Sequence, residues 1–321
     1  MSRRAVIVST ARTGLAKSFR GGFNATNPVA LAGHCVQNVI SRAGNGAVAP
    51  SFVEDVILGC AMPEAESGMN VARNAALWGG CPVETSGVTI NRFCSSGLQA
   101  VAMAAHSIVV DNVTCAIGGG VDSISLVQPK MVKNIVVEKQ LYKKYPALWM
   151  PMIETADIVA ERYNISRKDQ DEYSVLSQDR TAAAQKNGLF DTEIVPMNTK
   201  MGIKNKETGE ITYVDYTVTK DECNRPGTTI DDITNLVPIQ AKVNSNATIT
   251  AGNASQLSDG ASACLLMEEQ QAKDLGLNPL GAFMGFATAG CAPDEMGIGP
   301  IHAVPKLLKR FNMTVDDIDL W

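Results

Sequence analysis

The stretch Val88-Thr89-Ile90-Asn91-Arg92-Phe93-Cys94-Ser95-Ser96-Gly97-Leu98-Gln99-Ala100 places a cysteine where a β-branched run gives way to a helix-forming one. At the start of a helix the unpaired backbone N–H groups and the macrodipole favour an anion. A thiolate, the reactive form of cysteine, is therefore expected at Cys94. Ser95, Ser96 and Gly97 keep the approach to the sulfur open, so a thioester carbonyl can reach it. Ala100, Ala102, Ala104 and Ala105 give the helix behind it a lining of small side chains, suited to deep burial. A cysteine packed for purely structural reasons also fits Cys-Ser-Ser-Gly taken alone.

Two further segments carry polar groups on small-residue backbones. Thr250-Ala251-Gly252-Asn253-Ala254-Ser255-Gln256-Leu257-Ser258-Asp259-Gly260-Ala261 lets a ligand approach the main chain, with Asn253 and Ser255 as hydrogen-bonding groups. The same composition suits a plain turn between strand and helix. Gly118-Gly119-Gly120-Val121-Asp122-Ser123-Ile124-Ser125 does not have the spacing of a dinucleotide fingerprint and no phosphate-loop lysine follows, so a tight turn or close packing is expected there. Of the three histidines, His34 and His106 fall in helical patterns, and His302 follows Gly299-Pro300-Ile301 at a helix start. None is an obvious base for Cys94.

The elements that must position these groups follow from periodicity. Strands are expected over 3–9, 53–59, 88–91, 114–118, 247–250 and 261–267, and helices over 28–43, 70–78, 95–110 and 302–311. Strands alternating with helices imply a mostly parallel sheet with helices on its faces. Residues 121–245 hold most of the Lys, Asp and Glu, with amphipathic helical stretches over 157–187 and a polar, turn-rich run over 197–230. That segment reads as an insertion. The order of a helix, a linker and Val53-Glu54-Asp55-Val56-Ile57-Leu58 recurs late in the chain as a helix followed by Val315-Asp316-Asp317-Ile318-Asp319-Leu320. Two similar halves are implied, the second breaking off at Trp321 about 60–70 residues early.

Composition narrows the function classes. The chain has 321 residues, 45% of them hydrophobic and 19% charged, a globular balance with ample core material. Its net charge of −5 argues against general nucleic-acid binding. No run approaches the ~20 apolar residues of a membrane span, so no membrane partner is expected. The eight cysteines show no Cys-x-x-Cys and no metal-ligand spacing, so no metal is expected. Most of them read as reduced, buried thiols of a cytoplasmic protein.

Taken together, the segments resemble the thiolases. Asn91 to Ala100 resembles the family's nucleophilic-cysteine motif N-R-x-C-x-S-G-L-Q-A, and Thr250 to Ala261 resembles T-A-G-N-A-S-G-x-N-D-G-A. Gly119 to Ser125 is similar to G-G-x-E-S-M-S, with Asp122 where Glu is usual. Gly68 to Arg73, Arg225 to Thr229 and Met296 to Pro300 add shorter likenesses, and all fall in the family's order from Arg4 to Trp321. The resemblance implies an α/β, five-layered fold of two similar βαβαβ halves with an inserted loop domain, the second half incomplete. In this chain the first half would be 1–120 with 246–275, the insertion 121–245, and the start of the second half 276–321.

It also implies acyl transfer between coenzyme A thioesters, either forming acetoacetyl-CoA or cleaving a 3-ketoacyl-CoA. Cys94 would take the acyl group. Ser255, with Ala251 and Ala254, would line the pantetheine channel, Arg225 would lie near the adenine nucleotide, and Met152 near the thioester. Pro151 stands where many short-chain members have His. No covalently bound cofactor is implied; coenzyme A and acyl-CoA are substrates, and the family is usually a homodimer or homotetramer. A ketoacyl-synthase-like condensing enzyme and a non-catalytic acyl-CoA-binding fragment are the competing readings.

Thiolases end with N-E-A-F, H-P-x-G and C-x-G-G segments, which supply an oxyanion site, activation of the nucleophile and an acid/base cysteine. This sequence stops at Asp319-Leu320-Trp321 without them. Each missing acid–base group is worth about 10²–10⁴-fold. These 321 residues by themselves are therefore expected to turn over acetoacetyl-CoA and CoA barely or not at all. Turnover at ordinary thiolase rates in a thiolysis assay would refute this.

Overall fold

The structure, a computed structural model, describes residues 3–132 and 137–321. The chain forms two compact units: 3–132 with 187–223 and 257–284, and 137–186 with 224–256 and 285–321.

The first unit is built on one sheet. Its elements, numbered along the chain, are β1 (Ala5–Arg12), β2 (Ala16–Lys17), α1 (Pro28–Arg42), β3 (Asp55–Gly59), α2 (Val71–Trp78), β4 (Ser86–Ile90), α3 (Ser96–Val110), β5 (Cys115–Asp122) and α4 (Ile124–Val127), followed by β6 (Met197–Lys204), β7 (Ile211–Val218), β8 (Ser258–Glu268), α9 (Glu269–Asp274) and β9 (Gly281–Ala282). The strand order is β4-β3-β5-β8-β1-β9, with β2 on β8. β3 runs parallel to β4 and β5, joined through α2 and α3 as crossovers. β8 is antiparallel to both β5 and β1. The sheet is thus mixed rather than mostly parallel, because β8 returns from the 224–256 excursion and not from a crossover helix packed on the sheet.

Helix α1 begins at an Asn27 cap whose side chain accepts the Val29 N–H, with Pro28 at its first position. Its buried face, Leu31, Val36, Val39 and Ile40, joins Phe23 and the inward residues of β1, β5 and β8 in the main core. A smaller core lies under α3, where Ala100, Ala104, Ala105 and Ile108 meet Ala5, Ile57, Ala116 and Leu266. Phe93–Val110 is long and apolar enough to pass a membrane-span criterion on length and composition, contrary to the sequence expectation. Here its small-residue face is spent on the sheet.

The three glycines do not turn the chain. Gly118, Gly119 and Gly120 continue β5 through to Asp122, paired on one side with β3 and on the other with β8. Their second expected role, close packing, is what the strand needs. A Cβ on Gly118 would stand 2.6 Å from the Cα of Val101 in α3, and one on Gly119 would stand 2.8 Å from the Cα of Ala263 in β8. On β3, a Cβ on Gly59 would run into the Ser96–Gly97 peptide at the start of α3. The run 197–218, polar by sequence, is an antiparallel ribbon with Met197 opposite Val218. Its faces are largely exposed, so hydrophobic alternation never marked it.

The second unit is mainly helical: α5 (Lys139–Lys144), α6 (Met152–Arg162), α7 (Arg167–Lys186), α8 (Ile230–Thr234) and α10 (Gly299–Arg310). The expected strand at 247–250 is absent, because the N–H groups of Thr248 and Ile249 donate to the Asp157 carboxylate instead of a neighbouring strand, at 2.8 and 3.1 Å. Residues 315–320 also form no strand: Val315–Asp317 is a 3-10 turn closed by the Ile318 N–H on Val315 O. Early in the chain Pro50–Phe52 is a 3-10 turn closed by Val53 in the same way. The same turn thus precedes Val53 and Ile318, so Ile318 matches Val53, three residues off the register that the sequence motif suggests.

Adding one methyl group where α3 meets β3 should be felt. Gly59→Ala is expected to cost about 1–3 kcal/mol through overpacking, read as a lowered urea midpoint. Gly281→Ala, with open space around its Cβ position, should leave the midpoint near wild type. A wild-type midpoint for Gly59→Ala would refute the close approach.

Candidate active site

Cys94 lies between the end of edge strand β4 at Ile90 and the first helical residue of α3, Ser96. Ser95 is the cap residue, and no side chain caps the helix. The backbone of 91–96 is a clasped turn. The Arg92 N–H donates to Ser96 Oγ at 2.7 Å, and that hydroxyl donates to Phe93 O at 2.6 Å. The Phe93 N–H donates to Asn91 Oδ1 at 2.7 Å. Phe93 itself is in the left-handed region, φ 46°. A bulky residue in that region costs about 1–3 kcal/mol and persists only where its surroundings hold it. Here the buried Ser96 and the Asn91 side chain supply the hold, and the result is a sharp elbow with Cys94 at its crest. Cys94 is the only exposed cysteine among the described residues.

The elbow is tied to the C-terminal ends of the parallel strands. Asn91 Nδ2 donates to Ala61 O at 3.2 Å. The N–H groups of Ala61 and Met62 donate to the Asp122 carboxylate at 3.1 and 3.2 Å. Burial raises the Asp122 pKa, and the two backbone donors work against that rise. Asp122, the residue that departs from the usual Glu, thus braces the turn after β3 from the end of β5.

The other thiols are poor competitors. Burial pushes Cys35, Cys60 and Cys115 up to about 12 and Cys81 up to about 11, so they stay protonated near neutrality. Cys223 and Cys264 are also raised by burial. Four cysteines are fully buried; Cys223, Cys264 and Cys291 are half-buried. His106 packs edge-on against Phe283 at 5.4 Å, and His34 faces the backbone at Val195 and Pro196, so both are engaged away from Cys94. His302 is an exposed residue of α10 in the second unit.

The remaining candidates all belong to the second unit. Met152 is the first residue of α6 and 60% exposed. Arg225 is exposed, and its backbone N–H donates to Gln178 Oε1 on α7 at 2.7 Å. Ala251 and Ser255 are exposed and Ala254 is half-buried, on a loop closed by the Ala254 N–H donating to Thr250 O at 3.0 Å. That loop is also held to α7, where Asn253 Nδ2 donates to Asp171 Oδ1 at 3.0 Å. Asp171 and Gln178 lie seven residues apart on α7, about 10 Å along the helix. The segments of Arg225 and of Ala251–Ser255 are therefore spread along one rod, a layout suited to an elongated ligand. No cluster of three or more His, Cys, Asp or Glu side chains fit for a metal occurs among the described residues.

Sequence reading passed over Asp171, Arg167, Asp157 and Gln178. On a helix as polar as α7, an Arg and an Asp four apart look like any surface pair. Only the burial of Asp171 distinguishes them.

Comparison with known proteins agrees along the whole chain. Residues 5–270 match the family model of the thiolase N-terminal domain, and residues 277–321 that of the thiolase C-terminal domain. A 3-ketoacyl-CoA thiolase of Bacillus subtilis is 40% identical over 322 residues, covering 99% of this chain and 80% of that protein. A 3-ketoacyl-CoA thiolase of Vibrio parahaemolyticus is 35% identical over 327 residues, covering 99% and 78%. Among solved structures, the dimeric peroxisomal thiolase of Saccharomyces cerevisiae superposes with a TM-score of 0.87 at 32% identity, covering all of this chain and 78% of that one. The acetyl-CoA acetyltransferase of Bacillus anthracis gives 0.83 at 32% identity, covering 99% and 79%. With its α/β fold, its clasped cysteine elbow and these likenesses, the chain belongs to the thiolase family.

Proposed function

We propose that this protein is an acyltransferase acting on coenzyme A thioesters, with Cys94 as acyl carrier. The observation that carries this reading is the elbow itself: an exposed thiol presented at an uncapped helix start by a backbone held in a costly conformation. In the first half-reaction the Cys94 sulfur attacks the thioester carbonyl, a C–S bond to the enzyme forms, and the bond to coenzyme A breaks. The departing CoA thiolate takes up the proton that Cys94 gave up. In the second, the α-carbon of another acetyl-CoA loses a proton and attacks the acyl carbonyl, a C–C bond forms, the C–S bond to Cys94 breaks and the freed thiolate takes up a proton. Thiolysis of a 3-ketoacyl-CoA runs both steps in reverse, with acetyl-CoA leaving first and CoA then taking the acyl group. Arg225, Ala251, Ala254, Ser255 and Met152 bind the coenzyme; all but the half-buried Ala254 are exposed along the second unit, as a long polar ligand requires. Coenzyme A serves as substrate, and no prosthetic group takes part. Eight cysteines, none of them in a disulfide among the described residues, support a reducing, cytoplasmic setting.

A second copy of the chain is the partner best supported. Among the described residues, β4 ends the sheet with one edge unpaired. Val83, Phe93 and Leu98, near it in the chain, are 73%, 72% and 63% exposed. An edge strand beside apolar side chains invites pairing, and a thiolase with a TM-score of 0.87 to this chain is described as dimeric. A symmetric dimer across β4 follows. Val88→Lys on that strand should shift sedimentation from dimer to monomer, and an unchanged dimer would place the interface elsewhere.

Acylation tests the main reading without requiring turnover. Incubated with acetyl-CoA, the protein should gain one acetyl group, mapped by peptide mass spectrometry to Cys94 and absent in Cys94→Ala. Iodoacetamide near neutral pH should label Cys94 ahead of the buried Cys35, Cys60, Cys81 and Cys115. Acetylation at another cysteine, or labelling of Cys94 no faster than those four, would overturn the assignment.

A further inference from the structure

One ion pair on α7 reaches two of the three stretches of the second unit that carry coenzyme-binding candidates, those of Arg225 and of Ala251–Ser255. Arg167 Nε donates to Asp171 Oδ2 at 2.8 Å, and the Asp171 side chain is only 2% exposed. The two carboxylate oxygens face different ways. Oδ2 takes Arg167, while Oδ1 accepts Asn253 Nδ2 at 3.0 Å. Asn253 then shapes its own loop: its Oδ1 accepts the Thr250 N–H at 2.8 Å and its Nδ2 also donates to Thr248 O at 3.1 Å.

Arg167 works in the other direction. Its Nη2 donates to Ile233 O, Thr234 O and Leu236 O at 2.8, 3.2 and 3.2 Å. These carbonyls lie at and just beyond the end of α8, where Ile233 O also accepts the Leu236 N–H at 3.1 Å. α8 follows the Arg225–Thr229 turn directly. The two stretches also touch, since a Cβ on Gly252 would lie 2.8 Å from Ile233 and Leu236 side-chain atoms. A planar guanidinium can grip a carboxylate and a set of carbonyls at once, whereas an ammonium is a single point charge.

We infer that the Arg167–Asp171 pair is the positioning element of the coenzyme A site, setting the Ala251–Ser255 loop and the Arg225–Leu236 segment in one arrangement along α7. The inference rests on the reading above, in which those segments contact coenzyme A. Neither Arg167 nor Asp171 touches the substrate in this account; both act through the backbone they hold. A truncated pair leaves a buried charge without its partner, and the cost falls on both segments together.

The test compares two acyl donors on the full chain. Acetyl-CoA uses the coenzyme site, whereas phenyl thioacetate offers only a thioester. In Arg167→Met, acylation of Cys94 by acetyl-CoA should slow about tenfold to a hundredfold, with a matching rise in the calorimetric Kd for CoA, while acylation by phenyl thioacetate stays unchanged. Arg167→Lys, which keeps the charge but loses the fork, should fall between. Asn253→Ala, which leaves the ion pair intact, gives the same donor-selective loss in smaller measure and serves if Arg167→Met does not fold. Equal slowing with both donors in the folded variants, or CoA binding at wild-type strength, would overturn the inference. Wild-type protein that binds no CoA would instead remove the underlying reading of the site, and this inference with it.

Discussion

Backbone-to-backbone contact between α3 and the sheet is the constraint on which the first unit depends. α3 can settle on β3 and β5 only where the strands carry no side chain, and Gly59 and Gly118 provide those points. Sheet depth then fixes where α3 starts, and its start fixes Cys94. The same glycines leave β5 room for β8, so Gly119 meets Ala263 at a distance that a side chain would forbid. An apolar, alanine-rich helix that would suit a membrane by composition is instead spent on this contact. Larger side chains on either surface would lift the helix and move Cys94 with it.

Holding Cys94 at the helix start takes more than the helix. Phe93 is held at positive φ by donating its N–H to Asn91 Oδ1 and accepting from the Ser96 hydroxyl, and Asn91 is anchored to Ala61. Asp122 holds Ala61 and Met62 from the next strand. The Asp122 carboxylate reaches both backbone donors, at 3.1 and 3.2 Å. Exposed sulfur and rigid surroundings together make Cys94 chemically distinct from seven thiols that are buried or half-buried.

The second unit solves a different problem. Its loops need a scaffold. α7 serves as that scaffold through Asp171, Arg167 and Gln178, each bonded to a segment distant in sequence. Asp157 on α6 does the same for Thr248 and Ile249, which is why that stretch is a loop in spite of its β-branched residues. Side-chain carboxylates here replace a strand neighbour as acceptors for backbone N–H groups.

Cys94, its helix, the β/α alternation and the Thr250–Ala261 loop were legible in the residues, because local propensity and small-residue patterning are written in consecutive positions. So was the family, whose motifs are short and ordered. The direction of β8, the strand made by Gly118–Gly120, and the ribbon at 197–218 were not, since each depends on which distant segment supplies the neighbouring backbone. The pairing of Arg167 with Asp171 was visible as a spacing but not as a buried hub. Sequence determined which groups are available for chemistry; tertiary structure decided which of them are buried, braced or exposed, because burial and hydrogen-bond partners are set by contacts between residues far apart in the chain.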